Sequence, residues 1–265
     1  VLSQSYRIPK SVHQCATRIV NRIKTRRPKT YEPKPWQGRV ERVSMPDMKK
    51  FADGEWLVMA QCNYMLNEIC DDLRVHGYFF ENRGNKSIHE KLCSALLAWQ
   101  VLVEGGQIDA TSAKNLYYYM KSGTRIKRGF KSLNMIDIKD VFSLEQLQQN
   151  YGLLATDKMD WSMAMDRIPE DMKTYVSALL RRGEDLNREP RIKVSTIHGS
   201  KGGEADHVVL YTDISYASDQ AANSDTLEGR RMMDDLHRLF YVGVTRTKEN
   251  LYIVSPIDGL RSYQI

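Results

Sequence analysis

The stretch at residues 193–212, KVSTIHGSKGGEADHVVLYT, decides the fold class. It holds two short β-rich runs, 193–197 and 207–212, on either side of a turn dense in hydroxyl groups and glycines. Short runs of β-branched and apolar residues bounded by such turns are typical of strands. The stretch therefore predicts two strands of a sheet, with hydrogen-bonding groups where the first strand ends.

Further runs of this kind occur in both directions from that stretch, at 39–43, 56–60, 78–80 and 251–255. The run at 56–60 is compact and apolar throughout, as in a strand buried on both faces of a parallel sheet. Helical patterns separate several of the runs, and this alternation of strand and helix predicts an α/β domain with a parallel sheet flanked by helices.

Three helices are predicted before residue 106. The first begins after Pro9, which suits a first helical position, and the second covers 65–75 and ends at Gly77. Ser87 and Glu90 have the spacing of a capping box, so the third helix is predicted to open there. Each of these helices has apolar residues at helical spacing and can cover a face of the sheet.

The middle of the chain has a different character. Between residue 105 and about residue 190 there is no strong β-type run, whereas helical patterns recur, notably at 144–151 and 168–180. We therefore predict one α/β domain formed by 1–104 and 190–265, interrupted by a mainly helical accessory subdomain at 105–189.

Composition narrows the class of protein. The chain has 265 residues, 42% of them hydrophobic, and a formal net charge of +6, which suits a polyanionic partner. No apolar run reaches the roughly 18 residues that a bilayer-spanning helix needs, and no secretory signal is present, so we expect a cytoplasmic protein without a membrane partner. The four cysteines form no CxxC pair, which favours free thiols over a disulfide or a metal site.

Three segments, far apart in the chain, combine arginine, aromatic and hydroxyl residues at structural boundaries. The first is QSYRIP at 4–9, immediately before a predicted helix. The second is STIHGSKGGE at 195–204, a strand that runs into a turn. The third is HRLFYVGVTR at 237–246, a helix that ends in an apolar strip and an arginine.

In this order, the segments resemble motifs IV, V and VI of the superfamily 1 DNA helicases of the UvrD/Rep type. The family patterns read roughly Gln-x-Tyr-Arg, Thr-x-His-x-x-Lys-Gly-x-Glu and Arg-Leu-x-Tyr-Val-x-x-Thr-Arg. The resemblance extends more weakly to 56–80, where Gln61-Cys62-Asn63 stands in place of Arg-Thr-Asn. It implies the second RecA-like domain of such a helicase, with a 2B-type insertion, and hence a role in DNA repair or replication.

The resemblance implies an ATP site shared with another domain. Arg7 and Arg246 match the arginines that reach the γ-phosphate, and an arginine finger accelerates phosphoryl transfer by about 10³ to 10⁵. Tyr6 matches the position that stacks on adenine, and Glu204 the carboxylate near the ribose. Gln4 and Gly202 complete the expected ATP contacts.

The same resemblance implies a track for single-stranded DNA. Short hydrogen-bond donors at a strand end can bind phosphates without reading sequence. The residues expected to make these contacts are Asn63, Ser195, Thr196, His198 and Lys201.

Two absences limit what the chain does alone. No Gly-Lys dipeptide and no Asp-Glu pair occur, so there is neither a Walker A lysine nor a Walker B magnesium site. We therefore expect ATP with Mg²⁺ to be bound mainly by an N-terminal RecA-like domain of the same protein, and this chain alone to be inactive. Because it begins at the first motif, we also expect it to be part of a longer protein, an ATP-dependent helicase moving 3′ to 5′ on single-stranded DNA.

Other interpretations stay open. The chain could be a non-catalytic nucleic-acid-binding or regulatory module with a RecA-like fold, or the motor part of a helicase-nuclease. Each arginine could simply pair with a surface carboxylate, and His198 could have a structural role. The basic segment at 121–131, which follows three tyrosines, suits duplex binding or a solvated loop equally well.

Overall fold

The computed structural model describes residue 5 and residues 7–27, 31–44, 53–133, 140–256 and 261–265. These residues form two compact units. The first unit contains the described residues as far as His76, together with Phe80–Asn85 and Pro190–Ile265. The second unit contains Gly77–Phe79 and Lys86–Glu189.

The regular elements of the described residues follow each other in strand and helix order along most of the chain. The strands are β1 (Arg39–Val43), β2 (Trp56–Ala60), β3 (Phe80–Asn82), β4 (Asn85–Lys86), β5 (Gln107–Asp109), β6 (Val141–Ser143), β7 (Ile192–Thr196), β8 (Ala205–Tyr211) and β9 (Thr247–Val254). The helices are α1 (Lys10–Val20), α2 (Met65–Val75), α3 (Glu90–Val103), α4 (Ala110–Tyr118), α5 (Leu144–Asn150), α6 (Trp161–Ala164), α7 (Glu170–Arg182), α8 (Tyr216–Ala222) and α9 (Leu227–Val244).

The first unit is built on a seven-stranded sheet with the order β1-β9-β8-β2-β7-β3-β4. The pairs β1–β9, β9–β8, β8–β2, β2–β7 and β7–β3 are all parallel. The predicted α/β class, a mostly parallel sheet flanked by helices and consistent with a RecA-like domain, is therefore confirmed. Parallel strands bring their carboxyl ends to one edge of the sheet, where α/β folds place their ligands.

Apolar burial accounts for this arrangement. All five residues of β2, which lies between β8 and β7, are buried, as its apolar run predicts. On one helix layer, Val12, Ala16 and Ile19 of α1 share a core with Phe240 and Val244 of α9. These five side chains are all fully buried, so the two helices hold each other against the sheet.

A buried carboxylate fastens the chain after α1 to α9. The Asp234 side chain accepts hydrogen bonds from the backbone N–H groups of Lys24, at 2.8 Å, and Thr25, at 3.0 Å. Burial raises the pKa of Asp234, but these two donors and nearby Arg238 lower it further, so the pKa lies below its usual value of 3.8. The carboxylate therefore stays charged at neutral pH.

Replacing Asp234 by alanine should lower the free energy of unfolding by about 2 kcal/mol, because two backbone donors lose their acceptor. Thermal unfolding followed by circular dichroism should show a decrease in Tm of roughly 4–8 °C. Because the pKa of Asp234 is lower in the folded state than in the unfolded state, its carboxylate stabilises the fold at pH values above the unfolded-state pKa. This stabilisation is lost as the pH falls through the folded-state pKa. The difference between variant and parent should therefore vanish in acid.

The control for this prediction is Asp235→Ala. Asp235 is the next residue, its side chain is 74% exposed, and it pairs only with Arg238 among the described residues. Its loss should change the stability by no more than about 0.5 kcal/mol. Equal Tm values for the two variants would contradict the role assigned to Asp234.

The second unit is mainly helical, with α3 to α7 and a small antiparallel pair, β5 and β6. Within this unit the Tyr175 hydroxyl donates to the carbonyl of Tyr78 at 2.6 Å and lies 2.6 Å from the Ser87 hydroxyl. The segment at 78–80, predicted as a strand, is thus divided: Gly77–Phe79 belongs to this unit and β3 begins only at Phe80.

The predicted start of the third helix was wrong. Helix α3 begins at Glu90, and its N-cap is His89, whose ring nitrogen accepts from the backbone N–H of Lys91. Ser87 lies outside the helix because its hydroxyl is bonded to Tyr175. The longer segment of the second unit is Lys86–Glu189, and within it α3 packs against α4 and α6.

Candidate functional site

Arg246 lies just beyond the carboxyl end of α9, between that helix and β9. Its Nε donates to the carbonyl oxygen of Val242 and one terminal nitrogen donates to that of Gly203, both at 3.1 Å. The side chain is half-buried, and backbone carbonyls, not a carboxylate, fix its direction. Burial and the nearby guanidinium of Arg7 lower the pKa of Arg246, whereas Glu204 raises it. Arginine stays protonated across such shifts, so the group is a fixed positive charge.

Arg7 is held beside the same turn by a carboxylate. Its Nε lies 2.5 Å from one carboxylate oxygen of Glu204, and the Nζ of Lys248 lies 3.3 Å from the other. Partial burial raises the pKa of Glu204, but Arg7 and Lys248 together outweigh it, so the pKa lies below its usual value. Glu204 is therefore ionised at neutral pH and holds two cations at once.

Arg7, Glu204 and Lys248 border an open cleft of about 500 Å³, which we call the arginine cleft, and Arg246 is held beside it by its bond to the Gly203 carbonyl. It is lined by Ser5, Arg7, Ile8, Lys34, Glu204, Asp206, Lys248 and Glu249. The lining has three basic and three acidic side chains, so net charge alone would not attract an anion. Binding of a phosphate would depend on the directed donors of the arginines and on Lys248.

The expected ATP contacts are only partly within the described residues. Gln4 and Tyr6 lie outside them. Gly202 is in the turn after β7 with a φ of +87°, a conformation that suits glycine, and nothing crowds the space where a side chain would stand. Of the expected ATP residues, the structure therefore brings Arg7, Glu204 and Arg246 together.

A second cleft, of about 420 Å³, lies at the carboxyl ends of the neighbouring strands β2, β7 and β3, and we call it the strand-end cleft. It is lined by Leu57, Asn63, Glu81, Arg83, Gly84, Lys193, Val194, Ser195, Thr196, Gly199, Ser200 and Gly203. Three of the five residues expected to contact DNA are in this set: Asn63, Ser195 and Thr196. The other two, His198 and Lys201, are exposed on the turn that follows β7 but do not line the cleft.

The turn between β7 and β8, residues 197–204, joins the two clefts. Its backbone is tightened by hydrogen bonds from Ser200 to Thr196, from Lys201 to His198 and from Gly203 to Ser200. The Thr196 hydroxyl also accepts from the N–H of Gly199 at 3.0 Å. Residues expected to contact DNA therefore lie at one end of a compact turn, and Glu204 lies at the other.

One residue that departs from the family pattern, Gln61, and one that matches it, Arg238, both have structural roles. The Gln61 amide donates to the Ser218 hydroxyl and accepts from the Ser215 N–H, each at 2.6 Å, so it ties the end of β2 to the start of α8. Arg238 donates to Asp235 at 2.6 Å and to the carbonyl of Thr25 at 2.8 Å. These bonds give Arg238 an anchoring role in the first unit.

Sequence reasoning missed Lys248, Lys34 and Arg83. Lys248 follows Arg246 by two residues on β9, and Lys34 donates to the Lys248 carbonyl, so both belong to the arginine cleft. Arg83 stands in no motif, and its place beside Ser195 and Thr196 follows from the pairing of β3 with β7.

Comparison with known protein families identifies the class. Residues 147–256 match the model of the UvrD-like helicase C-terminal domain. The matched range contains Ser195, Glu204 and Arg246, whereas Arg7 and Asn63 precede it. The predicted resemblance is confirmed: residues 147–256 are similar to the C-terminal domain of UvrD-like helicases. A search of curated proteins found no match to the chain.

Two further searches concern only the part of the chain that the structure describes. There, no helix is both long enough and apolar enough to cross a bilayer. The same residues contain no group of three or more His, Cys, Asp and Glu side chains that could hold a metal ion. The four cysteines are free thiols among the described residues.

Proposed function

We propose that this chain is the C-terminal part of an ATP-dependent DNA helicase or translocase that moves 3′ to 5′ on single-stranded DNA. Its first unit would be the second RecA-like domain, and its second unit the 2B-type accessory subdomain. The observation that carries the proposal is the convergence of Arg7, Glu204 and Arg246, from three distant segments, at one side of the sheet. Direction of travel rests on the family resemblance.

The residues of the arginine cleft fit the polyphosphate of a nucleotide whose other contacts come from a partner domain. ATP, bound with Mg²⁺ mainly by that domain, would supply the γ-phosphoryl group. Arg246 would present its remaining N–H groups to the phosphate from a base fixed by two carbonyls. Arg7 would bind after exchanging its Glu204 partner for phosphate oxygens, and Lys248 would keep Glu204 ionised and in place. Fixed positive charge of this kind lowers the barrier to phosphoryl transfer.

The strand-end cleft fits the backbone of a single DNA strand. Asn63, Ser195 and Thr196 offer neutral donors at the carboxyl ends of neighbouring parallel strands, and His198 and Lys201 extend this surface along the turn. Donors of this type contact phosphate and sugar without reading the bases. Such a surface suits a motor that must bind any sequence.

Replacing His198 by alanine should weaken the binding of oligo(dT) by about fivefold, since one contact of the track is lost. Fluorescence anisotropy with a labelled oligonucleotide measures this directly. His76→Ala is the matched control, because His76 is an exposed histidine of the same unit at the end of α2 and does not line the strand-end cleft. Equal affinities for both variants and the parent would count against the track.

A second candidate is a non-catalytic nucleic-acid-binding or regulatory module. It is favoured by one observation: Arg7 already forms an ion pair with a carboxylate, Glu204, at 2.5 Å. The two candidates differ in what the rest of the protein encodes. A Gly-Lys-Thr segment and an Asp-Glu pair upstream would support the helicase, and a full-length protein lacking both would support the module.

A further inference from the structure

The β3–β4 hairpin places an arginine where the backbone conformation disfavours one. Its two-residue connection is Arg83-Gly84, with φ values of +53° and +83°. Positive φ at both central positions is the requirement of a type I′ turn, which Asn-Gly and Gly-Gly meet with the least strain. The backbone is therefore more strained with an arginine at position 83 than it would be with a glycine or an asparagine.

The same hairpin is fastened to the strand that carries the expected DNA contacts. The backbone N–H of Arg83 donates to the carbonyl of Val194 at 3.2 Å, continuing the pairing of β3 with β7. Val194 directly precedes Ser195 and Thr196, and all four residues line the strand-end cleft. The base of the Arg83 side chain is therefore fixed relative to the two hydroxyl groups.

Among the charged side chains that line the strand-end cleft, that of Arg83 is available to bind an anion. Lys193 and Glu81 also line it, but they are register partners on adjacent strands, so their opposite charges offset each other. Arg83 is exposed, and no carboxylate of the described residues lies within ion-pair distance of its guanidinium. The cleft thus has one uncompensated cation beside a row of neutral donors.

We infer that Arg83 is a phosphate-binding residue of the single-strand track, at the end of the strand-end cleft opposite the turn after β7. This inference rests on the proposed function. A guanidinium binds two oxygens of one phosphate through its planar fork, and it supplies the charge that Asn63, Ser195 and Thr196 lack. A glycine or an asparagine at this position would relieve the strain but could not supply that charge.

Arg83→Gly tests the inference without endangering the fold, since glycine accepts a positive φ more readily than arginine does. For the 265-residue chain, the affinity for labelled oligo(dT) should fall by about tenfold at moderate salt. The plot of log binding constant against log salt should become shallower by about 0.7, the value for one single-strand phosphate. Arg83→Lys should keep the slope and recover part of the affinity.

Arg39→Ala is the matched control, because Arg39 begins β1 at the opposite edge of the sheet and pairs there with Glu41. It should leave affinity and salt slope unchanged. If the parent chain binds and Arg83→Gly binds equally well with the same slope, the inference is wrong while the proposed track stands. If the parent chain does not bind oligo(dT) at all, the track and the inference both fail. A Tm for Arg83→Gly at or above that of the parent would establish that any loss of binding is not a loss of fold.

Discussion

Arg246→Ala should lower DNA-stimulated ATP hydrolysis by at least about 10³-fold in the protein that also contains the phosphate-binding domain. The reason is the position of the guanidinium, which two backbone carbonyls hold next to the turn that carries Glu204. Binding of ATP, measured with a fluorescent analogue, should change little, because an arginine finger acts mainly on the transition state. The effect of Arg246→Ala should therefore appear in the rate of ATP hydrolysis and not in the affinity for ATP.

Two variants sharpen this prediction. Arg246→Lys keeps the charge but not the fork that bonds Val242 and Gly203, so it should recover only part of the activity. Arg231→Ala removes an exposed arginine from the same helix, α9, and should leave turnover within about twofold of the parent. Preserved hydrolysis in Arg246→Ala would rule out the finger role.

Arg7→Ala should lower the same activity by about 10² to 10³-fold. The ion pair of Arg7 with Glu204 is more than one-third exposed on both sides, at 37% and 38%, so its contribution to stability is below about 1 kcal/mol. The Tm should then fall by no more than roughly 2–4 °C, and a loss of turnover would not be a loss of fold. Lys10→Ala, at the exposed start of α1, is the control for a basic residue in the same segment.

Glu204→Gln separates two roles for Arg7. If the arginine only holds Glu204 in place, the two variants should have the same effect on turnover and on KM for ATP. If Arg7 binds the γ-phosphate, Glu204→Gln should mainly change KM while Arg7→Ala lowers kcat. Identical profiles would contradict a finger role for Arg7 and leave Arg246 as the single candidate.

Buried strands were the part of the fold that could be predicted with the least error. Strand β2 has the bounds that its run predicted, because a strand inside a parallel sheet must be apolar and short connections bound it. The partly exposed edge strand β1 also has its predicted bounds. The start of α3 was wrong for the opposite reason. The Ser87 hydroxyl is bonded to Tyr175, which is distant in sequence. A capping pattern considers only neighbouring residues, so it could not predict this bond.

The residues of the candidate site also include some that the sequence predicted and some that it did not. Glu204 and Arg246 were anticipated because they stand in ordered motifs, and the structure brings them together with Arg7, although the roles assigned to them stay predictions. Lys248 and Arg83 stand in no motif. Their positions follow from strand register and from one unusual φ value, which are properties of the folded sheet and not of a sequence pattern.

The short turn between β7 and β8 has a mechanical consequence. Three backbone hydrogen bonds between residues 196 and 203 tighten it, which leaves little slack between Thr196 and Glu204. Most surface loops tolerate a change of length, because nothing depends on the distance between their ends. Under the proposed function, the length of this turn would instead set the spacing between the nucleotide contact and the DNA contact, so that an inserted residue would uncouple the two.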